Sequence, residues 1–328
     1  MPDESAGGIK VVLTSPRVAP GLLTRATWQA LETADEIGAA GGPDRPDVQA
    51  VIGSGLVVTQ VEAGVAAAWA WLSSAAADGR QVVWLTGDDG EPGLLRVVSD
   101  ELVREPSYAV EILHGSYDVP GSRLIDLVRV MDRLRRNCPW DQEQTHESLA
   151  KYLLEETYET LEAIDTGDLS HLQEELGDLL LQVAFHSRIA EDSADEGFSI
   201  DDVAGGIVEK LIRRHPHVFG TVDAADAAAV EANWETIKAA EKQRSSVLEG
   251  IPLALPALAL ADKVLGRAAK VLPTEPDRPE PADDTERIGN QLLDLVRDAR
   301  ATGIDAEQAL RTAVQTLTST IRATENGD

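Results

Sequence analysis

Residues 152–187 read YLLEETYETLEAIDTGDLSHLQEELGDLLLQVAFHS, a stretch with nine acids and neither lysine nor arginine. Apolar residues recur at helical spacing over Leu149–Ile164 and again over Leu169–Ile189, so the stretch reads as two helices. The break between them is Asp165-Thr166-Gly167-Asp168. Gly167 can take the left-handed conformation that closes one helix, and Asp168 can cap the N-terminus of the next. A connection this short makes the helices antiparallel neighbours in a bundle.

The acids within these helices are poorly placed for an ordinary surface. Glu155–Glu159 is a like-charged pair at i,i+4, and Glu156–Glu159 and Glu175–Asp178 are like pairs at i,i+3. Each such pair destabilises a helix by roughly 0.2–0.5 kcal/mol. Only Glu155 has a cation one turn behind it, Lys151. Residues three or four apart share a helix face. Glu155, Glu156 and Glu159 therefore project together from one helix, and Glu175 and Asp178 from the other. Packed antiparallel, they form a multi-carboxylate groove suited to a hard cation, Mg2+ or Mn2+. No Glu-x-x-His pairing occurs in each helix, which argues against a di-iron site. Gly177 lies mid-helix between two of the acids at a cost of about 1 kcal/mol relative to alanine. Close helix approach, or room for a ligand, would justify it. The competing reading is a solvated acidic face in an acidic protein. Against it stands the pairing of Glu-Glu-x-x-Glu with Glu-x-x-Asp in a window without cations.

Downstream comes Lys210-Leu211-Ile212-Arg213-Arg214-His215-Pro216-His217. Lys210 and Arg214 share a face at i,i+4, and Arg213 points to a neighbouring one. Such a cluster suits nucleotide phosphates, or equally serves the dipole of its own helix C-terminus. Trp234 and Lys238 are also i,i+4. The indole can stack on a nucleobase while the lysine reaches phosphate, or it can belong to the core. Trp140, in Cys138-Pro139-Trp140-Asp141, reads as packing at a helix start. Cys138, without a histidine partner nearby, has no case as a nucleophile.

On either side of this helical region the pattern changes. Towards the N-terminus, Ile9–Leu13 and Gln81–Leu85 read as buried strands and Thr24–Ile37 as a helix. A helix from Pro92 and a strand around Tyr108–Leu113 follow, and this alternation predicts a small α/β domain with a parallel sheet. Towards the C-terminus, residues 273–284 read PTEPDRPEPADD, a stiff, solvated linker. Two more helices, about 285–300 and 305–323, come after it. The fold class expected is therefore α+β and multidomain. It comprises a small α/β domain over 1–118, an all-α bundle over 119–247, and a linker with a helical repeat over 248–328.

The whole chain has 328 residues and a formal net charge of −28. Such a surface disfavours nucleic acid as a partner. One cysteine excludes an internal disulfide framework. No basic and apolar leader opens the chain and no long apolar run crosses a membrane, so a cytoplasmic location is expected.

Four segments together resemble the MazG family of nucleoside triphosphate pyrophosphohydrolases. They are CPWDQEQTHESLAKYLLEETYETLEAI, EELGDLLLQVAFHSRIA, EKLIRRHPHVFG and NWETIKAAEK. The resemblance implies an all-α domain that cuts nucleoside triphosphates between the α and β phosphates, with clearance of non-standard or damaged nucleotides as the expected role. It implies Mg2+ ligands at Glu156, Glu159, Glu175 and Asp178, with Glu155 assisting as ligand or base. It also implies nucleotide contacts at Lys210, Arg214, Trp234 and Lys238, with Arg213 beside them, and a homo-oligomer, dimeric or higher. The tail looks like a worn second copy. Glu286-Arg287-Ile288-Gly289-Asn290 aligns with Glu174-Glu175-Leu176-Gly177-Asp178, but Arg287 and Asn290 replace two ligands. The N-terminal region resembles the start of tetrapyrrole methylases, although Thr14-Ser15-Pro16-Arg17 replaces the glycine-rich turn, so a degenerate, non-catalytic remnant is expected. Two further classes compete with this reading: a non-catalytic nucleotide-binding regulator, and a methyltransferase acting through the N-terminal domain.

Overall fold

The computed structural model describes residues 7–87, 90–104, 109–222, 226–241, 246–269, 271–272 and 279–326. Contacts within the chain gather into two compact units, Met1–Ile207 and Val208–Asp328.

The first unit begins with a parallel sheet. Its strands are β1 (Gly8–Leu13), β2 (Glu36–Ala39), β3 (Val58–Gln60), β4 (Gln81–Leu85) and β5 (Ala109–His114), in the order β3-β2-β4-β1-β5. Helices α1 (Arg25–Thr33), α2 (Pro46–Gly53), α3 (Val65–Ala77) and α4 (Pro92–Arg104) connect them. Ile9, Val11, Val82 and Trp84 pack on Ala68, Leu72, Leu94 and Val98 of α3 and α4. The opposite face buries Val12, Ile37, Val83 and Leu85 with Leu31, Val48 and Val51 of α1 and α2. Both faces are covered, which is why β1 and β4 read as continuous apolar runs rather than alternating ones.

One expected element is corrected here. The helix expected over Thr24–Ile37 ends at Thr33, Ala34 is extended, and Glu36–Ala39 is a strand. Ile37 fits a helical period, but pairing with Val83 of β4 buries it in the sheet. Burial of that kind outweighs local propensity.

The turn after β1 is tied to the helical region. Arg17 donates from Nη1 to Asp126 at 2.8 Å and from Nη2 to Asp118 at 2.6 Å. Asp118 also accepts from the Ser15 hydroxyl. The bundle then runs through α5 (Arg123–Asn137), α6 (Pro139–Glu143), α7 (His146–Thr166) and α8 (Leu169–Ala190), followed by α9 (Ile200–Arg214). Met131, Leu149, Ala184 and Phe185 form its buried centre. On α5, Met131 is buried and Leu127 packs against that centre, while Leu124 and Leu134 stay exposed. Trp140 sits at the start of α6 and meets Tyr152 edge-on, at 6.2 Å between ring centroids.

The second unit holds α10 (Pro216–Phe219), α11 (Ala227–Glu241), α12 (Ala257–Ala268), α13 (Asp284–Ala301) and α14 (Ala306–Asn326). Helix α12 packs on α13 and α14. Residues 286–290, aligned above with 174–178, occupy the first turns of α13. There Glu286 accepts from the Ala282 amide and Arg287 pairs with Asp284, one turn back. Half of the proline-rich linker, residues 273–278, lies outside the described residues.

Candidate metal centre

Helices α7 and α8 form an antiparallel hairpin, and local chemistry sets its two ends. Thr145 and Ser148 cap the start of α7 reciprocally. Gly167 closes α7 at φ 72°, where a left-handed residue is needed. Asp168 then accepts from the amides of Ser170 and His171 to start α8. At the far end, His146 of α7 and His186 of α8 meet Nδ1 to Nδ1 at 2.8 Å. Their rings are 2° from parallel with centroids 5.1 Å apart. Those values describe two nearly coplanar rings joined edge to edge by one N–H···N bond.

Midway between these ends, Glu156 of α7 faces Glu175 and Asp178 of α8. One carboxylate oxygen from each lies within 4.8 Å of the other two. Among the described residues this is the one such group of three or more possible ligands. Glu175 is only 6% exposed. Its Oε1 lies 3.0 Å from His171 Nε2, while its Oε2 is buried without a hydrogen-bond partner. A buried, unpaired carboxylate oxygen costs free energy unless a cation or donor meets it. The Glu156 carboxyl is pushed above its ordinary range, first by burial and then by Asp178, Glu159, Glu175 and Glu155.

The structure thus brings together three of the five acids singled out by spacing. Glu155 and Glu159 are exposed at the rim and act on Glu156 through their charge. A side chain at Gly177 would meet nothing within 4 Å, so close helix approach does not account for that glycine. The donor set fits a hard divalent cation: hard oxygen donors, a raised carboxyl and an orphaned oxygen. His171 went unnoticed in the sequence, although its i,i+4 spacing to Glu175 was a usable signal.

The basic stretch lies on α9. Lys210 is exposed and makes no ion pair among the described residues. Arg213 donates to Glu241 Oε1 at 2.6 Å, and the buried Arg214 donates to Oε2 at 2.6 Å and 3.1 Å. These bonds hold the Glu241 carboxyl down at about 2, with Arg214 the larger cause and Arg213 next. Trp234 of α11 is half-buried, with Lys238 Nζ 4.3 Å and the Arg214 guanidinium 5.5 Å from its ring centre. The Trp234–Lys238 spacing therefore gives a cation over the indole. Nothing in the sequence marked Glu241, because its pairing with Arg214 spans 27 positions.

Residues 144–219 match the MazG nucleotide pyrophosphohydrolase domain. That range contains all five acids and the basic stretch, but neither Trp234 nor Lys238. An uncharacterized 26.1 kDa protein of Streptomyces cacaoi is 50% identical over 245 residues, covering 72% of this chain and 98% of that relative. A nucleoside triphosphate pyrophosphohydrolase of Mycobacterium tuberculosis is 45% identical over 209 residues, 62% of this chain and 59% of its own length. The nucleoside triphosphate pyrophosphohydrolase/pyrophosphatase MazG of Thermotoga maritima is 39% identical over 212 residues, 58% of this chain and 80% of its own.

Proposed function

The chain belongs to the MazG family of nucleoside triphosphate pyrophosphohydrolases, and from that premise we propose that it cuts nucleoside triphosphates between the α and β phosphates. The products would be a nucleoside monophosphate and pyrophosphate. The observation that carries this reading is the buried Oε2 of Glu175, unpartnered and grouped with Glu156 and Asp178.

In this reading Glu156, Glu175 and Asp178 hold Mg2+, with Mn2+ as a substitute, and Glu159 completes the set from the rim. When bound, the ion supplies positive charge against the phosphate oxygens and makes water a better nucleophile. Glu155 is exposed beside the cluster and accepts the proton that the attacking water loses. Lys210, Trp234 and Lys238 serve the nucleotide, the indole through stacking and the lysines through phosphate. Arg213 and Arg214 serve it while remaining braced by Glu241.

Residues 119–247 are the catalytic region. Residues 1–118 are a degenerate methylase-like domain and 248–328 a linker with a degenerate helical repeat. Leu153, Leu154 and Tyr158 of α7, with Leu176, Leu180 and Val183 of α8, leave apolar surface exposed. We assign it to a homodimer, which light scattering on the purified chain would test. No helix among the described residues is long and apolar enough to cross a membrane. The physiological substrates are non-standard or damaged nucleotides.

The deciding experiment incubates the full chain with Mg2+ and a panel of standard, deaminated and oxidised nucleoside triphosphates. Monophosphate and pyrophosphate are expected in equal amounts, and none in chelator. Release of diphosphate and inorganic phosphate, or no turnover of any triphosphate, would overturn the proposal.

A further inference from the structure

We propose that His171 is a positioning residue, which locks the Glu175 carboxylate so that only its Oε2 is left for a divalent cation. The inference rests on the metal-site reading above and adds to it a residue outside the carboxylate set.

The backbone of His171 is fixed first. Its amide donates to the Asp168 carboxylate at 3.1 Å, in the cap that starts α8. One turn later stands Glu175, and a residue at i reaches its neighbour at i+4 on the same face. His171 Nε2 therefore stands 3.0 Å from Glu175 Oε1. As a hydrogen bond, that contact satisfies one oxygen and stops the carboxylate from turning. The other oxygen stays buried, without a partner, and Glu175 stays grouped with Glu156 and Asp178.

Without the bond, Glu175 would be free to rotate away from two like charges within 4.8 Å. A cation would then have to order it on binding. His171 is not itself one of the converging donors, since the group that lies within mutual reach contains only the three acids. Its side chain is 39% exposed, so its removal leaves no buried cavity. This is a hydrogen-bond partner that orients a ligand, a role whose loss weakens metal binding by about 10- to 100-fold.

The test compares the parent chain with His171→Leu and His171→Gln. Glutamine places an N–H at about the same reach as the imidazole Nε2, and leucine removes the donor. Each full-length protein is titrated calorimetrically with Mn2+ in the absence of nucleotide, and each is melted in chelator. We expect His171→Leu to bind Mn2+ about 10- to 100-fold more weakly and His171→Gln to stay within about threefold of the parent. All three should melt together in chelator. Equal affinity in His171→Leu and the parent would overturn the positioning role while leaving the metal site intact. Equal loss in the glutamine and leucine variants would do the same. A parent that takes up no Mn2+ would instead remove the metal site itself, and the positioning role with it.

Discussion

Replacing Glu175 with glutamine should make the metal-free protein more stable while ending its response to metal. The change keeps the shape of the side chain and its acceptor for His171, but removes one charge from a cluster whose oxygens lie within 4.8 Å of one another. At 4.8 Å two unit charges repel by about 1 kcal/mol when screened as in water, and about 3 kcal/mol at an effective dielectric near 20. Glu175 has two such neighbours, Glu156 and Asp178. Glu156, whose carboxyl sits above its ordinary range, takes up a proton more readily than a free glutamate and so tempers this repulsion as pH falls. A net gain of about 1–3 kcal/mol is therefore expected, or roughly 2–10 °C in melting temperature for a unit of this size. The assay is thermal melting in chelator and across a Mg2+ series. In chelator the variant melts above the parent; with Mg2+ the parent climbs and the variant does not. The difference shrinks with added salt, as it must for a charge effect. It also shrinks at low pH. A carboxyl raised above its ordinary 4.5, like Glu156, lends the folded state stability that is present below that value and lost as pH rises through the folded one. If Glu175→Gln melts below the parent in chelator, the acids are structural and the reasoning fails.

The His146–His186 pair should make stability fall in mild acid. Burial first, and His146 second, lower the affinity of His186 for a proton, and its Nε2 is buried without a partner. Stability is then full above the ordinary histidine value of about 6.5 and is lost as pH drops below it. His186→Phe should flatten the melting profile between pH 5 and 8, and an equally steep variant would contradict this. Glu241→Gln should loosen α9 from α11, because it discharges the carboxylate that Arg213 and Arg214 share. Since Glu241 is held near 2, its contribution is present above the ordinary carboxylate value and is lost only as pH falls towards 2. Amide exchange over residues 208–241 should quicken in the variant at pH 7, and unchanged exchange would refute the brace. Finally, the full chain should give no heat on titration with S-adenosylmethionine. Pro16 and Arg17 stand where a glycine-rich turn would approach the cofactor, and Asp118 and Asp126 hold Arg17 in place. Micromolar binding would restore a methyltransferase reading.

What the sequence determined by itself was mostly local. Helical spacing, Gly167 and Asp168 sufficed for the α7–α8 hairpin, because turn and cap chemistry depends on neighbours a few residues away. The apolar runs of β1 and β4 were legible because strands covered on both faces need no polar alternation. Within the acidic stretch, spacing could say that five carboxylates occupy two facing helix surfaces. It could not say which of them are buried. Only the packed hairpin separates Glu156, Glu175 and Asp178 from the exposed Glu155 and Glu159, since that depends on the rotation of each helix about its own axis. The orphaned Oε2 of Glu175 likewise exists only once α7 and α8 exclude water around it. Strand β2 was lost to a helical pattern because its pairing partner β4 lies more than forty residues away in the chain. Glu241 escaped notice for the same reason, its arginines arriving from another helix. Interactions between neighbours in sequence can be read from residue types, while those closed by folding depend on coordinates that no local pattern contains.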